Sequence, residues 1–190
     1  MIFYFSATGN SKYVAERVAG ATDDHLIFLR DAIRSRCYHF DVSLEKRIGF
    51  VVPAYCCGLP SILNFFVDKL RLSGYEDQYV YLVLTCGSAT GDAAGQLGKL
   101  LGKKGIALNA QFAVPMVDNN VTAHKIPDRE EIDRRLDGAE EYIDEACRAI
   151  RARGAGDYNR CQGALPGALT AASYPAYAFG RSTKPFVVTG

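Results

Sequence analysis

The first eleven residues, MIFYFSATGNS, set an uninterrupted apolar run directly against a loop of small polar residues, with no linker between them. Ile2 to Phe5 have the length and the apolar, aromatic character of a parallel strand buried on both faces. Ser6, Ala7, Thr8, Gly9, Asn10 and Ser11 bring hydroxyls, an amide and a backbone able to approach a ligand closely, and Lys12 to Ala19 continue as a helix. Exposed amides and the dipole at such a helix start favour an anion, and a phosphate monoester fits there. The competing reading is an ordinary helix cap, because Ser, Thr and Asn are favoured at that place with or without a ligand. Position separates the two. The loop stands at the carboxyl end of the first strand of an α/β pattern, where open parallel sheets bind ligands at a topological switch point. The loop is neither GxGxxG nor GxxxxGK[ST], so the phosphate is expected to belong to a mononucleotide.

A chain of 190 residues is most simply one domain with an appendage. A formal net charge of +1 gives no general reason to expect a nucleic acid or an acidic membrane surface as partner. No apolar stretch reaches the roughly 20 residues of a membrane helix, and a first strand starting at Met1 leaves no room for a leader, so the cytoplasm is the expected location. The six cysteines, at 37, 56, 57, 86, 147 and 161, have neither a CxxC pair nor metal-ligand spacing and read as reduced thiols. Cys147 and Arg153 match the CxxxxxR spacing of a phosphatase loop. The intervening residues are helical in character and lack the glycines that such a loop needs.

Strands and helices alternate along the chain. The pattern predicts a helix over Ser11 to Ala19 stopped by Gly20, a second strand over His25 to Leu29, and a charged, irregular stretch over Arg30 to Arg47. A third strand follows at Ile48 to Ala54, a helix at Ser61 to Leu70, and a fourth strand at Tyr79 to Thr85. Next come a glycine-containing helix over Gly91 to Gly102 and a fifth strand over Ile106 to Val117. Asp128 to Arg153 is the strongest helix, with Ile132, Leu136, Ala139, Ile143, Ala146 and Ile150 in one stripe and charges that complement the macrodipole. Right-handed crossovers then give an α/β sandwich with a five-stranded parallel sheet of order 2-1-3-4-5. The domain is read as residues 1 to 153. Residues 154 to 190 form an extension too aromatic for a simple linker, part of which is expected to pack on the body, with Lys184 to Gly190 the least anchored.

With that order, the loops after strands one, three and four open on one edge. They read SATGNS, PAYCCGLP and TCGSATGD. The second, with Pro53, Ala54, Tyr55, Cys56 and Gly58, suits a flat apolar ligand with polar edges. The third, with Thr85, Cys86, Gly87, Ser88, Gly91 and Asp92, offers free backbone amides to the other side of the same ligand.

At these residues the chain resembles the flavodoxin-like family, which binds flavin mononucleotide (FMN) with a phosphate loop of the form [ST]xTGN[ST] and two ring-contacting loops. The resemblance spans Met1 to Arg153. More narrowly, MIFYFSATGNS, Gly58-Leu59-Pro60, Thr85-Cys86-Gly87 and Met116-Val117-Asp118-Asn119 are similar to the flavodoxin part of flavodoxin-ferredoxin fusion proteins. In those, a ferredoxin module with paired [4Fe-4S] clusters follows. Phe186 to Thr189 is similar to the strand that introduces it, and the sequence ends before any cluster cysteine, so the chain is expected to be a piece of a longer polypeptide.

The resemblance implies that Ser6, Thr8, Gly9, Asn10 and Ser11 hold the flavin phosphate, with no arginine clamp and with Lys12 solvated. It implies that Tyr55 stacks on the ring, and that Gly58 or a neighbour turns a carbonyl toward the ring nitrogen N5 on reduction. Cys86, Gly87, Ser88 and Gly91 would border the pyrimidine side. Asp92 would either disfavour the anionic reduced ring or cap the next helix. Asn119 and Asn120 would frame the mouth or form a plain turn, and His124 has no evident role. The function expected is electron transfer between flavin and an iron-sulfur partner, in the same chain or another. The alternative is an FMN-dependent NAD(P)H or quinone reductase. A receiver-type signalling domain would need clustered acids at its strand ends, and strand one ends in Ser6.

Overall fold

The computed structural model describes residues 1–118 and 127–179. In chain order the elements are β1 (Ile2–Tyr4), α1 (Asn10–Thr22), β2 (Leu26–Phe28), α2 (Leu29–Arg34), β3 (His39–Asp41), β4 (Arg47–Pro53) and α3 (Ser61–Lys69). Then follow β5 (Arg71–Ser73), β6 (Tyr79–Cys86), α4 (Ala93–Gly102), β7 (Ala110–Pro115), α5 (Arg129–Arg151), β8 (Gly156–Tyr158) and α6 (Pro166–Phe179). The readings at Asn119, Asn120, His124 and residues 180–190 lie outside the described residues.

The main sheet runs β2-β1-β4-β6-β7-β8, and every neighbouring pair in it is parallel. Its first five strands have the 2-1-3-4-5 order of a flavodoxin-like doubly wound sheet. The sixth, β8, was not expected. Its three residues extend the β7 edge through Ala110↔Gly156, Gln111↔Asp157 and Phe112↔Tyr158. Phe112 and Tyr158 stack with centroids 4.8 Å apart, so the pairing is held by ring contact as well as by the ladder.

The stretch predicted as irregular over Arg30 to Arg47 contains α2 and β3, and β3 pairs with β5 in a separate two-stranded sheet. Three-residue strands with alternating exposure carry too little periodicity to stand out in a charged sequence. Helix α1 does not stop at Gly20. That residue lies on the exposed face, where nothing opposes continuation, and the helix ends at Asp23 in the left-handed region at φ 57°. The fifth strand is shorter than predicted. Residues 106–109 are loop, anchored where Asn109 Oδ1 accepts the Val80 N–H at 2.7 Å.

The central strands are covered on both sides. Phe3, Phe50, Val52, Leu82 and Leu84 face Leu63, Phe66 and Val67 of α3 and Leu97 and Leu101 of α4, with Leu29 of α2 beside them. Ile2, Val51, Tyr81, Val83 and Val114 face Val14, Ala15 and Val18 of α1 and Ala139, Ile143, Ala146 and Ile150 of α5. β6 is buried at all eight positions, as expected for a strand flanked by parallel neighbours with helices on both faces. The apolar stripe of α5 is used only from Ala139 onward. Leu136 is 39% exposed, because the first turns of the helix bury little against the sheet. Tyr13 and Arg17 of α1 reach Glu140 of α5, and Arg17 also reaches Asp144 at 2.8 Å.

At the amino ends of the central strands, Arg47 Nε donates to Asp24 Oδ2 at 2.8 Å and Arg47 Nη2 donates to the Thr22 carbonyl at 2.5 Å. Burial alone would raise the Asp24 pKa, but the hydrogen bonds from Arg47 and Thr22 outweigh it and hold the carboxyl below its usual range. A depressed folded pKa contributes stability that is present above the unfolded value and is lost as pH falls through the folded one. Asp24→Asn is therefore expected to lower the unfolding free energy at neutral pH by about 1.5–3 kcal/mol, the usual worth of a hydrogen bond to a charged group. Urea melts at a series of pH values check it: the gap from wild type should close as pH drops below about 4, the ordinary aspartate range.

Candidate functional site

Because the central strands are parallel, their carboxyl ends open on one edge, and the loops after β1, β4, β6 and β7 meet there around a cleft of about 420 Å³. That volume lies within the roughly 300–1,000 Å³ of small-molecule sites.

The β1–α1 loop contributes Ser6, Thr8, Asn10 and Ser11 to the lining. Gly9 stands at the N-cap with φ 111°, a conformation only glycine adopts without strain, and no side chain caps the helix. The serine hydroxyls and the asparagine amide that would do so are turned to other work. Ser6 Oγ accepts the Gly9 N–H at 3.0 Å, Asn10 Nδ2 donates to the Val117 carbonyl at 3.0 Å, and Ser11 Oγ pairs with Thr85 Oγ1 at 2.7 Å. Ser11 and Thr85 are both buried, so this hydroxyl pair locks α1 to the end of β6. The first amides of α1 are thus left to the cleft, where the helix dipole favours an anion.

The β4–α3 loop contributes Pro53, Ala54, Tyr55, Cys56 and Cys57. Tyr55 and Gly58 exchange two backbone hydrogen bonds, at 2.9 and 3.1 Å, around Cys56 at φ 47° and Cys57 at φ 58°. A two-residue turn with both central residues at positive φ is the type I′ pattern, which ordinarily takes Asn-Gly or Gly-Gly. Two cysteines there store about 1–3 kcal/mol of strain each. The left-handed backbone of this loop therefore falls on Cys56 and Cys57, the residues just before Gly58.

Thr85, Cys86, Gly87 and Ser88 line the opposite wall. Of the remaining sequence candidates, Gly9 belongs to the β1–α1 loop without lining the cleft, and Gly58, Gly91 and Asp92 do not line it either. Gly58 is buried under the Tyr174 ring, with Gln96 also close. Gly91 is packed against Cys57 and Thr170, and Asp92 folds its carboxylate over Gly95 in the first turn of α4.

The sequence did not single out as ligand contacts Ala7, Cys57, Ala89, Val117, Asp118 or Tyr177, all of which line the cleft. The first three sit in the three loops already named, and Val117 and Asp118 in the Met-x-Asp-Asn segment. Asp118 is the carboxylate that stands at the cleft, close beside Gly87. Only the aromatic richness of the tail hinted at Tyr177.

That residue comes from α6, which docks on the β4–α3 loop. Tyr174 donates its hydroxyl to the Leu59 carbonyl at 2.8 Å and accepts from Asn64 Nδ2 at 2.9 Å, and the Tyr177 hydroxyl accepts the Ser61 N–H at 3.0 Å. Thr170 Oγ1 donates to the Cys57 carbonyl at 2.5 Å and accepts the Asp92 N–H at 2.8 Å. The Tyr55 and Tyr177 rings lie 5.6 Å apart, and burial followed by the Tyr177 hydroxyl pushes the Tyr55 pKa up, keeping it neutral. Burial likewise raises Cys57, against a hydrogen bond to Ser173 that lowers it.

Among the described residues, no group of three or more His, Cys, Asp or Glu side chains is arranged to hold a metal ion, and no helix is long and apolar enough to cross a membrane. A second, more open basin of about 990 Å³ lies at the carboxyl ends of α3 and α4, lined by Arg36, Lys69, Arg71 and Lys104.

If the α6 contacts hold the loop, Gly58→Ala should undo them, because its Cβ would enter the Tyr174 ring. Hydrogen exchange across 166–179 should accelerate in that variant. Gly98→Ala, at a helical position with open space, should leave it unchanged.

No family model matches the chain, and no curated protein matches it. Among solved structures, the Trp repressor binding protein from Bacillus subtilis is 17% identical, with 80% of this chain and 97% of that one covered and a TM-score of 0.50. An FMN-dependent NADH-azoreductase from Bacillus anthracis, solved in complex with FMN, is 11% identical over 79% of this chain and 99% of its own, with a TM-score of 0.47. Two-electron reduced flavodoxin from Megasphaera elsdenii is 18% identical over 73% and 97%, with a TM-score of 0.43. At such identities the likeness concerns architecture alone. The strand order and the layers make this a flavodoxin-like α/β fold.

Proposed function

We propose that the cleft binds FMN and that the chain is an electron-transfer flavoprotein module, passing electrons between the bound flavin and an iron-sulfur partner. The observation that carries this reading is the uncapped start of α1. Its first turn holds Asn10 and Ser11, and their side chains are committed to Val117 and Thr85, so the helix amides are left to meet an anion in a cleft walled by small polar groups and a tyrosine pair.

The donor set fits a phosphate monoester that carries a flat ring. Amides and the hydroxyls of Ser6 and Thr8 would hold the phosphate, and Tyr55 and Tyr177 would present aromatic surface to the ring. Cys86, Gly87 and Ser88 would border its polar edge through backbone groups. Asp118, which lines the cleft where Asp92 does not, would bias the charge of that edge. When bound, the flavin supplies the one- and two-electron chemistry, while the chain binds, orients and tunes it. The iron-sulfur partner is supported by the resemblance of Gly58-Leu59-Pro60, Thr85-Cys86-Gly87 and the Met116 segment to the fusion proteins. The [4Fe-4S] clusters would belong to a ferredoxin-type module, in cis or in trans, and not to residues of this chain.

Titration of the protein into FMN should quench flavin fluorescence, and riboflavin, lacking the phosphate, should bind at least tenfold more weakly. Gly9→Val strains the 111° φ by about 1–3 kcal/mol and, as the amides shift to relieve it, should weaken FMN binding about 5- to 150-fold. Unquenched FMN, or equal affinity for riboflavin, would overturn the assignment. Rapid bleaching of bound flavin by NADH or NADPH in stopped flow would identify a reductase, whereas inertness supports the carrier.

A further inference from the structure

Two thiols meet behind the wall of the cleft. Cys86 closes β6 and lines the cavity, and Cys161 follows β8, 75 residues later. Their side chains are in hydrogen-bond contact. Nothing in the local sequence around either cysteine predicts this, and a separate set of bonds builds it. The Cys161 carbonyl accepts the Thr90 N–H at 2.8 Å. Asn159 Oδ1 accepts the Cys161 N–H at 2.9 Å, and Asn159 Nδ2 donates to Thr90 Oγ1 at 2.9 Å. Thr90 is fully buried, so the segment after β8 is clamped to the loop that begins at Cys86.

We propose that Cys86 and Cys161 form a thiol–disulfide exchange site that takes low-molecular-weight disulfides. Cys161 is the entering nucleophile. Its residue is partly exposed, so an incoming disulfide can reach it, and the hydrogen bond from the Cys86 thiol, opposed by burial and aided by Arg160, favours its thiolate. The thiolate is the attacking species, and access decides which thiol meets the disulfide first. Cys86 is the resolving partner. It is buried, and the same hydrogen bond and its burial keep it protonated until an electrophilic sulfur stands beside it.

The Cys161 thiolate attacks one sulfur of the disulfide RSSR. The Cys161–S bond forms as the RS–SR bond breaks, and the departing RS⁻ takes a proton to become RSH. Cys86 then loses its proton to solvent and attacks Cys161 Sγ, and a second RS⁻ leaves and is protonated. Two protein thiols are oxidised to one disulfide by loss of two electrons, and RSSR is reduced to two RSH. The product would tie the end of β6 to the segment after β8, across the wall of the cleft. The other four cysteines do not share this arrangement: Cys37 and Cys56 are exposed, Cys147 is buried in the α1–α5 core, and Cys57 sits in the strained turn.

The reaction involves no flavin and is tested on the full chain without it, so its failure and that of the FMN reading are independent. After incubation with excess oxidised glutathione near neutral pH, denatured protein should show a fall from six free thiols to four, and peptide mapping should find Cys86 linked to Cys161. Cys86→Ser should instead retain one glutathione on Cys161, and Cys161→Ser should acquire no adduct at Cys86. Six thiols persisting in the wild type, or the oxidation falling on Cys56 with Cys57, would overturn the proposal. If Cys86→Ser fails to fold, as judged by circular dichroism, the exposed-side variant Cys161→Ser and the wild-type map still decide it.

Discussion

A helix start must satisfy its first amides somewhere, and in this fold the one after the first strand is denied its usual partners. The residues best suited to cap α1 are drawn off in three directions, to Gly9, to Val117 and to Thr85. The first braces the β1–α1 loop internally and the other two tie the start of α1 to the segment after β7 and to β6, so the amides are presented by a rigid frame and not by a mobile turn. Without a buried β1 between β2 and β4, that frame would have no fixed direction. The depth of the cleft, the placement of the second and third loops, and the proposed affinity for a phosphate all follow from this arrangement.

The β4–α3 loop depends on support from far along the chain. A turn with two consecutive cysteines in the left-handed region is not expected to persist unaided, because each residue would relax to negative φ at a gain of about 1–3 kcal/mol. α6 opposes that relaxation: Thr170 holds the Cys57 carbonyl, and Tyr174 and Tyr177 bond the backbone at Leu59 and Ser61. Gln96 of α4 adds a bond from its side-chain oxygen to the Leu59 N–H at 2.8 Å. Strain concentrated at a cleft and stabilised from outside it is a common way of preorganising a binding surface. Here the preorganising element is α6, which supplies Thr170, Tyr174 and Tyr177.

The same tail changes the chemistry of the third wall. β8 lengthens the sheet by one strand and carries Cys161 back toward Cys86, so a strand-end cysteine that would otherwise be a small core filler acquires a sulfur neighbour. The carboxylate at the cleft is also a matter of tertiary placement. Asp92 and Asp118 are the same residue type, but the first folds its carboxylate over Gly95 in the first turn of α4 and the second stands at the opening beside Gly87.

Much of the architecture was legible in the sequence because its signals are local and repeated. The apolar runs at 2–5, 48–54 and 79–85, and the helices between them, dictate a parallel doubly wound sheet, and the carboxyl-edge rule then brings three loops together. The short strands β3, β5 and β8 were not legible, since three residues give no periodicity and their pairing is decided by the partner strand. Nor were the left-handed Cys56 and Cys57, Tyr177 in the cleft or the Cys86–Cys161 contact, which join positions many residues apart or run against local preference. The amino-acid sequence by itself determined the layers, the strand order and the loop after β1, because burial and helix-start chemistry act over a few residues. Only the tertiary structure decided which side chains face the cleft, because that depends on long-range hydrogen bonds competing for the same groups.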